Sequence, residues 1–418
     1  MSPRLTVERT DYPFHIRALD AAVGAIDGLG AGIGDLSVDS VLDAARRRTG
    51  LEDWGDSGFL EPMHIVADNA RRLGFTALAR VFIRNTWIKA VTNRLLMQRA
   101  RGLRPSHADV PIRKPIFILG FPRSGTTLLQ NLLAQAPDRR GLQFWELITP
   151  FPVHADPAAD LRRRRRSADV ALGLGYLVAP EMGDVHAIGS TTLEECWYLF
   201  CNTFCVLNWD LQTGLDDYGR WLLGHDMRPA YAEYREYLQV LLQQRPAEHL
   251  LLKCPEHLWF VDALLDVFPD ACVVWTHRDP VASIASYCSL MTLPRRMMYG
   301  RVVPEDLGAL VVERFHEAVT RATAALDRAD PRRFVHVGFR ELLDDPKGVV
   351  HRVVRHFDLE DPPDADARMD AYLGTKRQDE QGKHVYSAAR YGVDVDAVHE
   401  RYADYIRRFD IPTKREHG

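Results

Sequence analysis

The stretch Pro115-Ile-Phe-Ile-Leu-Gly-Phe-Pro-Arg-Ser-Gly-Thr-Thr127, continued by Leu128-Leu-Gln-Asn-Leu-Leu133, decides how the chain folds. A short apolar run ends at Gly120, a turn rich in Gly, Pro and Ser follows, and an amphipathic helix begins. Strand, tight loop and helix N-terminus in that order bring backbone N–H groups together on an anion, and the helix dipole adds positive potential. Gly120 to Thr127 fits the spacing G-x-x-x-x-G-x-[ST], but Thr126 stands where a nucleotide triphosphatase needs the lysine that reaches its β- and γ-phosphates. The positive charge comes earlier, at Arg123. The loop is therefore suited to a smaller anionic group than a triphosphate tail.

Outward from that stretch, short apolar runs alternate with helical periodicity. Strands are expected at Ile116–Gly120, Leu142–Trp145, His249–Lys253, Ala271–His277 and Arg333–Val337. The predicted fold class is α/β, a P-loop-type parallel sheet of about five strands flanked by crossover helices. The helix after the loop carries Leu128, Leu129, Leu132 and Leu133 on one face and stops at Pro137. Asp279-Pro280 opens another, an N-cap followed by proline at the first helical position. Asp345-Pro346 opens a third, with Val349, Val350, Val353, Val354 and Phe357 inward. Residues 1–104 read as a helical N-terminal extension without a recognisable site, and residues 105–418 as the catalytic domain. Within the latter, residues 151–245 form a mainly helical insertion. Ligands in open sheets of this kind bind at the strand C-termini, so the insertion is the expected acceptor-binding region.

The formal net charge of −4 gives no global attraction to nucleic acid, and any anion binding must be local. The run Arg162–Arg166 lacks interleaved aromatics and reads as a solvated helix face, not a nucleic-acid footprint. In Ala79–Arg101, Ile88, Val91 and Leu95 make one stripe, with Arg80, Arg84, Lys89 and Arg94 elsewhere. Such a helix is able to lie on a membrane, but more often it covers a core. The six cysteines (Cys196, Cys201, Cys205, Cys254, Cys272 and Cys288) lack the paired short spacing of a zinc site. They read as packing thiols in a reducing cytoplasm. No carboxylate or His cluster accompanies the loop, so no metal is expected. No uncharged run reaches the roughly 20 residues that span a bilayer, and the N-terminus carries no apolar stretch of secretory type. The expected location is the cytoplasm, with at most peripheral membrane contact.

Val273-Val-Trp-Thr-His-Arg278-Asp-Pro-Val-Ala-Ser-Ile-Ala-Ser286 repeats the logic of the loop without its glycines. Arg278 closes a strand, and Ser286 lies roughly 10 Å along the following helix. An Arg folding forward and a Ser hydroxyl would share one phosphate, which a planar guanidinium grips in two places. The ordinary alternative is an Arg278 paired with Asp279.

Together these residues carry a resemblance. Pro122-Arg-Ser-Gly-Thr-Thr127 resembles the 5′-phosphosulfate loop of sulfotransferases that use 3′-phosphoadenosine 5′-phosphosulfate (PAPS). Arg278 and Ser286 resemble that family's 3′-phosphate clamp. Lys253-Cys-Pro-Glu-His257, Phe339-Arg-Glu-Leu-Leu-Asp-Asp-Pro346 and the segment from Lys383-His384-Val-Tyr386 extend the likeness. Thr49-Gly-Leu-Glu-Asp-Trp-Gly55 points to the bacterial, actinobacterial-like branch. The resemblance implies sulfuryl transfer from PAPS to a hydroxyl or amine of a small-molecule, lipid or carbohydrate acceptor, without a metal. It implies nucleotide contacts from Arg123, Ser124, Gly125, Thr126, Thr127, Arg278 and Ser286. Phe339 would lie near the adenine, Lys383 in a loop over the 3′-phosphate, and Lys253 near the bridging oxygen. PAPS has two anionic ends and no γ-phosphate, which matches a loop without the triphosphatase lysine plus a distant clamp.

The acceptor also needs a base. Glu146 follows the strand after the loop helix, where related sulfotransferases often carry a catalytic Glu. An apolar setting beside Phe144 and Trp145 would raise its pKa. His257, four residues beyond Lys253, is the rival, and His186 and Glu194 stand further out. Trp197, Tyr198, Phe200, Phe204 and Trp209 fit either an apolar acceptor pocket or a helical core. Two other readings remain in view. A kinase-like P-loop protein needs an acid on Mg²⁺, and Thr126 and the missing acid count against it. The loop, clamp and base count against a non-catalytic nucleotide-sensing module.

Overall fold

The computed structural model describes residues 12–103, 105–185, 187–378 and 387–413. β1 (Ile116–Gly120) is the central strand of a five-stranded sheet of order β2-β3-β1-β4-β5. Its neighbours are β2 (Arg139–Gly141), β3 (His249–Lys253), β4 (Cys272–His277) and β5 (Phe334–Gly338). All pairings are parallel. β1, β3 and β4 are buried along their whole length, as a parallel sheet covered on both faces requires. Successive side chains alternate between the faces. Ile116 and Ile118 meet Leu129, Leu132, Leu133 and Val353 on one side, while Phe117 and Leu119 enter a larger core on the other.

Before the sheet come α1 (Phe14–Ile26), α2 (Val38–Thr49), α3 (Leu60–Arg72) and α4 (Ala77–Arg101). The Thr76 hydroxyl accepts the Ala79 N–H at 3.2 Å and fixes the start of α4. α2, α3 and α4 share one core with the rest of the chain, since Val41, Val66, Trp87 and Val91 pack in the same cluster as Phe117, Phe204 and Tyr218. α5 (Thr126–Leu133) follows β1. Between β2 and β3 lie α6 (Phe144–Ile148), α7 (Pro157–Val178), α8 (Met182–Val185), α9 (Trp197–Phe200), α10 (Leu207–Thr213), α11 (Asp216–Gly224) and α12 (Arg228–Gln244). α13 (Val261–Val267) follows β3, α14 (Pro280–Tyr299) and α15 (Pro304–Arg328) follow β4, and α16 (Phe339–Asp344) and α17 (Pro346–His356) follow β5. Arg314 of α15 ties the insertion down through Asp210 at 2.9 Å and Asp216 at 2.7 Å. Among the described residues no helix is long and apolar enough to cross a membrane.

One strand departs from expectation. The pairing with β3 uses Arg139–Gly141, not Leu142–Trp145, and the chain turns at Gln143 into α6. The cause is local. Glu146 reaches back to accept the Gln143 N–H at 3.0 Å, a bond that favours a helix start over an extended strand. The other four strands lie within one residue of their expected bounds.

Candidate active site

β1 ends at Gly120, whose φ is +145°, and a Cβ there would stand 2.2 Å from Thr276 Oγ1. Only glycine lets the loop press this closely on the end of β4. The buried Ser124 hydroxyl fastens the loop, lying 2.6 Å from the Phe121 carbonyl oxygen and 2.6 Å from Thr276 Oγ1. Arg123 holds a left-handed backbone with φ +69°, a strain of about 1–2 kcal/mol for a residue with a Cβ. The Arg278 guanidinium donates to the Arg123 carbonyl and helps hold it there. Because α5 begins at Thr126, the N–H groups of its first turn have no acceptor within the helix. The Ser124 N–H bonds to Phe121 O at 3.2 Å. The Ser124 N–H and hydroxyl are thus both engaged within the loop, and Ser124 shapes it.

Arg278 leaves the end of β4 and lays its guanidinium over the Phe339 ring, 4.3 Å from the centroid. Asp279 caps α14, accepting the Val281 N–H at 3.0 Å and lying 3.1 Å from His399 Nε2. Arg123, Gly125, Thr126, Thr127, Arg278, Ser286 and Phe339 all line one cavity of about 870 Å³. Behind two of the lining residues, Lys253 Nζ donates to Glu195 Oε1 at 3.1 Å and lies 3.4 Å from Thr127 Oγ1. The lysine side chain is only 1% exposed. Burial pulls its pKa down, but Glu195 and Glu194 outweigh that and hold the ammonium above the ordinary lysine range. The Cys196 N–H bonds to Lys253 O at 3.0 Å and pins the Glu194–Cys196 segment to the end of β3.

The two residues expected as base lie elsewhere. Glu146 is 1% exposed and does not line the cavity. Its carboxylate is held by Arg140, by Arg245 at 3.3 Å and by the Gln143 N–H, because the helix start turned it away from the strand end. His257 packs edge-on against Phe117 and lies 2.8 Å through Nδ1 from the Tyr231 hydroxyl. Burial drags its pKa down to about 3, and it too lies off the cavity wall. Glu194 and Glu195 do line the cavity. Glu195 was not among the expected residues. His186 and Lys383 lie outside the described residues.

The remaining wall is mostly apolar. α4 supplies Phe82 and Trp87, α7 Leu172 and Tyr176, and α14 Met291 and Met298. Of the aromatics in the insertion, Trp197 and Tyr198 stack at 3.9 Å and face the cavity with Trp209, while Phe200 and Phe204 are core. Lys89 of α4 also reaches the wall. Burial, then Arg48 and Arg164, lower its pKa to about 8.

A glycine-bearing loop between β1 and a helix N-terminus, an arginine at the end of the neighbouring strand and a lysine–carboxylate pair beside an apolar cavity are the layout of a P-loop-type group transferase. The sulfotransferase family model matches residues 115–363, and the chain belongs to that family. It is a sulfotransferase. Omega-hydroxy-beta-dihydromenaquinone-9 sulfotransferase Stf3 of Mycobacterium tuberculosis is 24% identical over 325 residues, 71% of this chain and 74% of that protein. Two crystal structures are similar at 30% identity. Sulfotransferase STF1 of Mycobacterium tuberculosis aligns with a TM-score of 0.77, over 88% of this chain and 98% of its own. Sulfotransferase STF9 of Mycobacterium avium aligns at 0.78, over 90% and 97%.

Proposed function

We propose that the chain transfers the sulfuryl group of PAPS to the hydroxyl of an elongated, apolar acceptor, with Glu195 as general base. The observation that carries this reading is the Lys253–Glu195 pair at 3.1 Å, beside Thr127 where the loop meets the apolar cavity. Arg123 and the N–H groups from Gly125 through the first turn of α5 bind the 5′ end of the donor. Arg278 and Ser286 bind its 3′-phosphate, and Phe339 offers a face for the adenine. PAPS supplies a sulfur whose bond to the 5′-phosphate oxygen breaks as the acceptor oxygen bonds to it.

Glu195 takes the acceptor proton in this step. Once protonated, it loses its hold on the Lys253 ammonium, which turns toward the negative charge growing on the leaving oxygen. Base and electrostatic stabiliser are thus coupled by one ion pair. The apolar wall supports an apolar acceptor, as does the name of the Mycobacterium tuberculosis relative, which gives an omega-hydroxy-dihydromenaquinone. The test has two parts. Calorimetry should detect uptake of adenosine 3′,5′-bisphosphate, and mass spectrometry should find a sulfated product from a long-chain terminal alcohol with PAPS. Absence of nucleotide uptake by the folded chain overturns the donor assignment. Nucleotide uptake with transfer only to sugars overturns the apolar acceptor.

A further inference from the structure

We propose that α7 seats the mouth of the cavity on an anionic lipid surface. α7 is a helix of 22 residues with two distinct sides. At 3.6 residues per turn, Arg163, Arg166, Val170, Leu174 and Leu177 fall within an arc of about 80°. All five are exposed, and the three apolar ones keep 57%, 63% and 60% of their surface open. The opposite side packs inward through Arg164 and Ala168, which are buried.

The order along the exposed line is what selects the partner. Its N-terminal half is basic and its C-terminal half apolar. Arg162, Arg163 and Arg166 carry no ion pair among the described residues, whereas Arg164 pairs with Asp160 at 3.1 Å. A stripe in which cations and large apolar side chains share one face, without an acid on it, complements anionic headgroups over an acyl layer. The apolar half is continuous with the cavity, because Ala171, Leu172, Gly175 and Tyr176 of the same turns line it. Across from them Phe82 of α4 lines the cavity and is itself 55% exposed. Docking there opens the cavity toward the lipid, so an apolar acceptor passes between the two without crossing water. That last consequence rests on the acceptor class proposed above, but the docking itself does not.

The test uses the full chain and needs no turnover. Vesicles of phosphatidylcholine mixed with phosphatidylglycerol should carry the protein upward in flotation, and vesicles of phosphatidylcholine alone should carry far less. The double variants L174E/L177E and R163E/R166E should each weaken partition, the arginine pair by about 25-fold given about fivefold per basic residue. Both should bind adenosine 3′,5′-bisphosphate like the parent chain, which certifies their fold. Failure of the parent chain to float with the anionic vesicles overturns the proposal, as does unchanged flotation of both variants. A dimer in sedimentation that L174E/L177E disperses, without vesicle binding, would assign the face to a second copy and also overturn it.

Discussion

Replacing Glu195 with Gln keeps the size of the side chain and removes the charge that faces Lys253. At 3.1 Å and an effective dielectric near 20, that charge attracts the ammonium by about 5 kcal/mol. Glu195 is 22% exposed, so water screens part of this, and Glu195→Gln is expected to lower unfolding free energy by about 3 kcal/mol. The larger effect falls on chemistry. Loss of the general base should reduce kcat by about 10²–10⁴-fold, or 3–5 kcal/mol of barrier, with the affinity for adenosine 3′,5′-bisphosphate retained. Single-turnover transfer and calorimetry on the same samples separate the two quantities. The pH dependence adds a signed check. In the parent chain the folded pKa of Lys253 is raised, so its contribution to stability is complete below the unfolded lysine pKa and is lost as pH climbs through the folded one. In Glu195→Gln the Glu194 carboxylate alone still counters burial, so the folded pKa drops and the loss of stability at high pH shrinks. A kcat within about threefold of the parent refutes the base assignment. A loss confined to Glu194→Gln would transfer it to Glu194.

Arg123→Ala and Arg278→Ala each remove a charged contact worth about 1.5–3 kcal/mol, so calorimetry should find adenosine 3′,5′-bisphosphate bound about 10–100-fold more weakly. Unchanged affinity would separate loop and clamp from the nucleotide. Glu146→Gln should lower denaturation free energy by about 3 kcal/mol, because it leaves the largely buried Arg140 without its partner. Its kcat should stay within a few-fold, and the reverse pattern would return the base to Glu146. Lys89→Met should raise the melting temperature at neutral pH. The folded lysine titrates near 8 and the unfolded one near 10.4. The native state therefore gains stability as pH rises between those values, and the variant should gain about 1–2 kcal/mol below them while losing that slope. A parallel pH profile for parent and variant refutes it.

Sequence reading reached the sheet and the phosphate loop because every signal there is local. Gly120, the turn and the Leu128–Leu133 stripe follow one another without a break. That Arg278 and Ser286 line one cavity follows from the same adjacency of strand and helix. The failures are all matters of long-range partnership. Glu146 looked like a strand-end carboxylate because nothing nearby announces that Phe144 and Trp145 donate their N–H groups to Thr192 and Ser190. Glu195 carries no local signal, because its ion-pair partner is Lys253, far along the chain. The Ala79–Arg101 segment has the same apolar periodicity whether it faces a filled core or a cavity, so residues 1–104 carry no site signal of their own. Phe82, Trp87 and Lys89 of that segment nevertheless reach the cavity wall.

The wall contributed by α4 divides selectivity between distant stretches of chain. In the proposed reading the donor is held at the strand ends of β1 and β4, whereas the shape offered to the acceptor is set partly by a helix that precedes the sheet altogether. Exchange of α4 between two members of the family would then change which alcohol is sulfated and leave the taste for nucleotide alone. A truncation that trims the chain back to the start of the sheet would remove one side of the acceptor's mould along with a large piece of shared core.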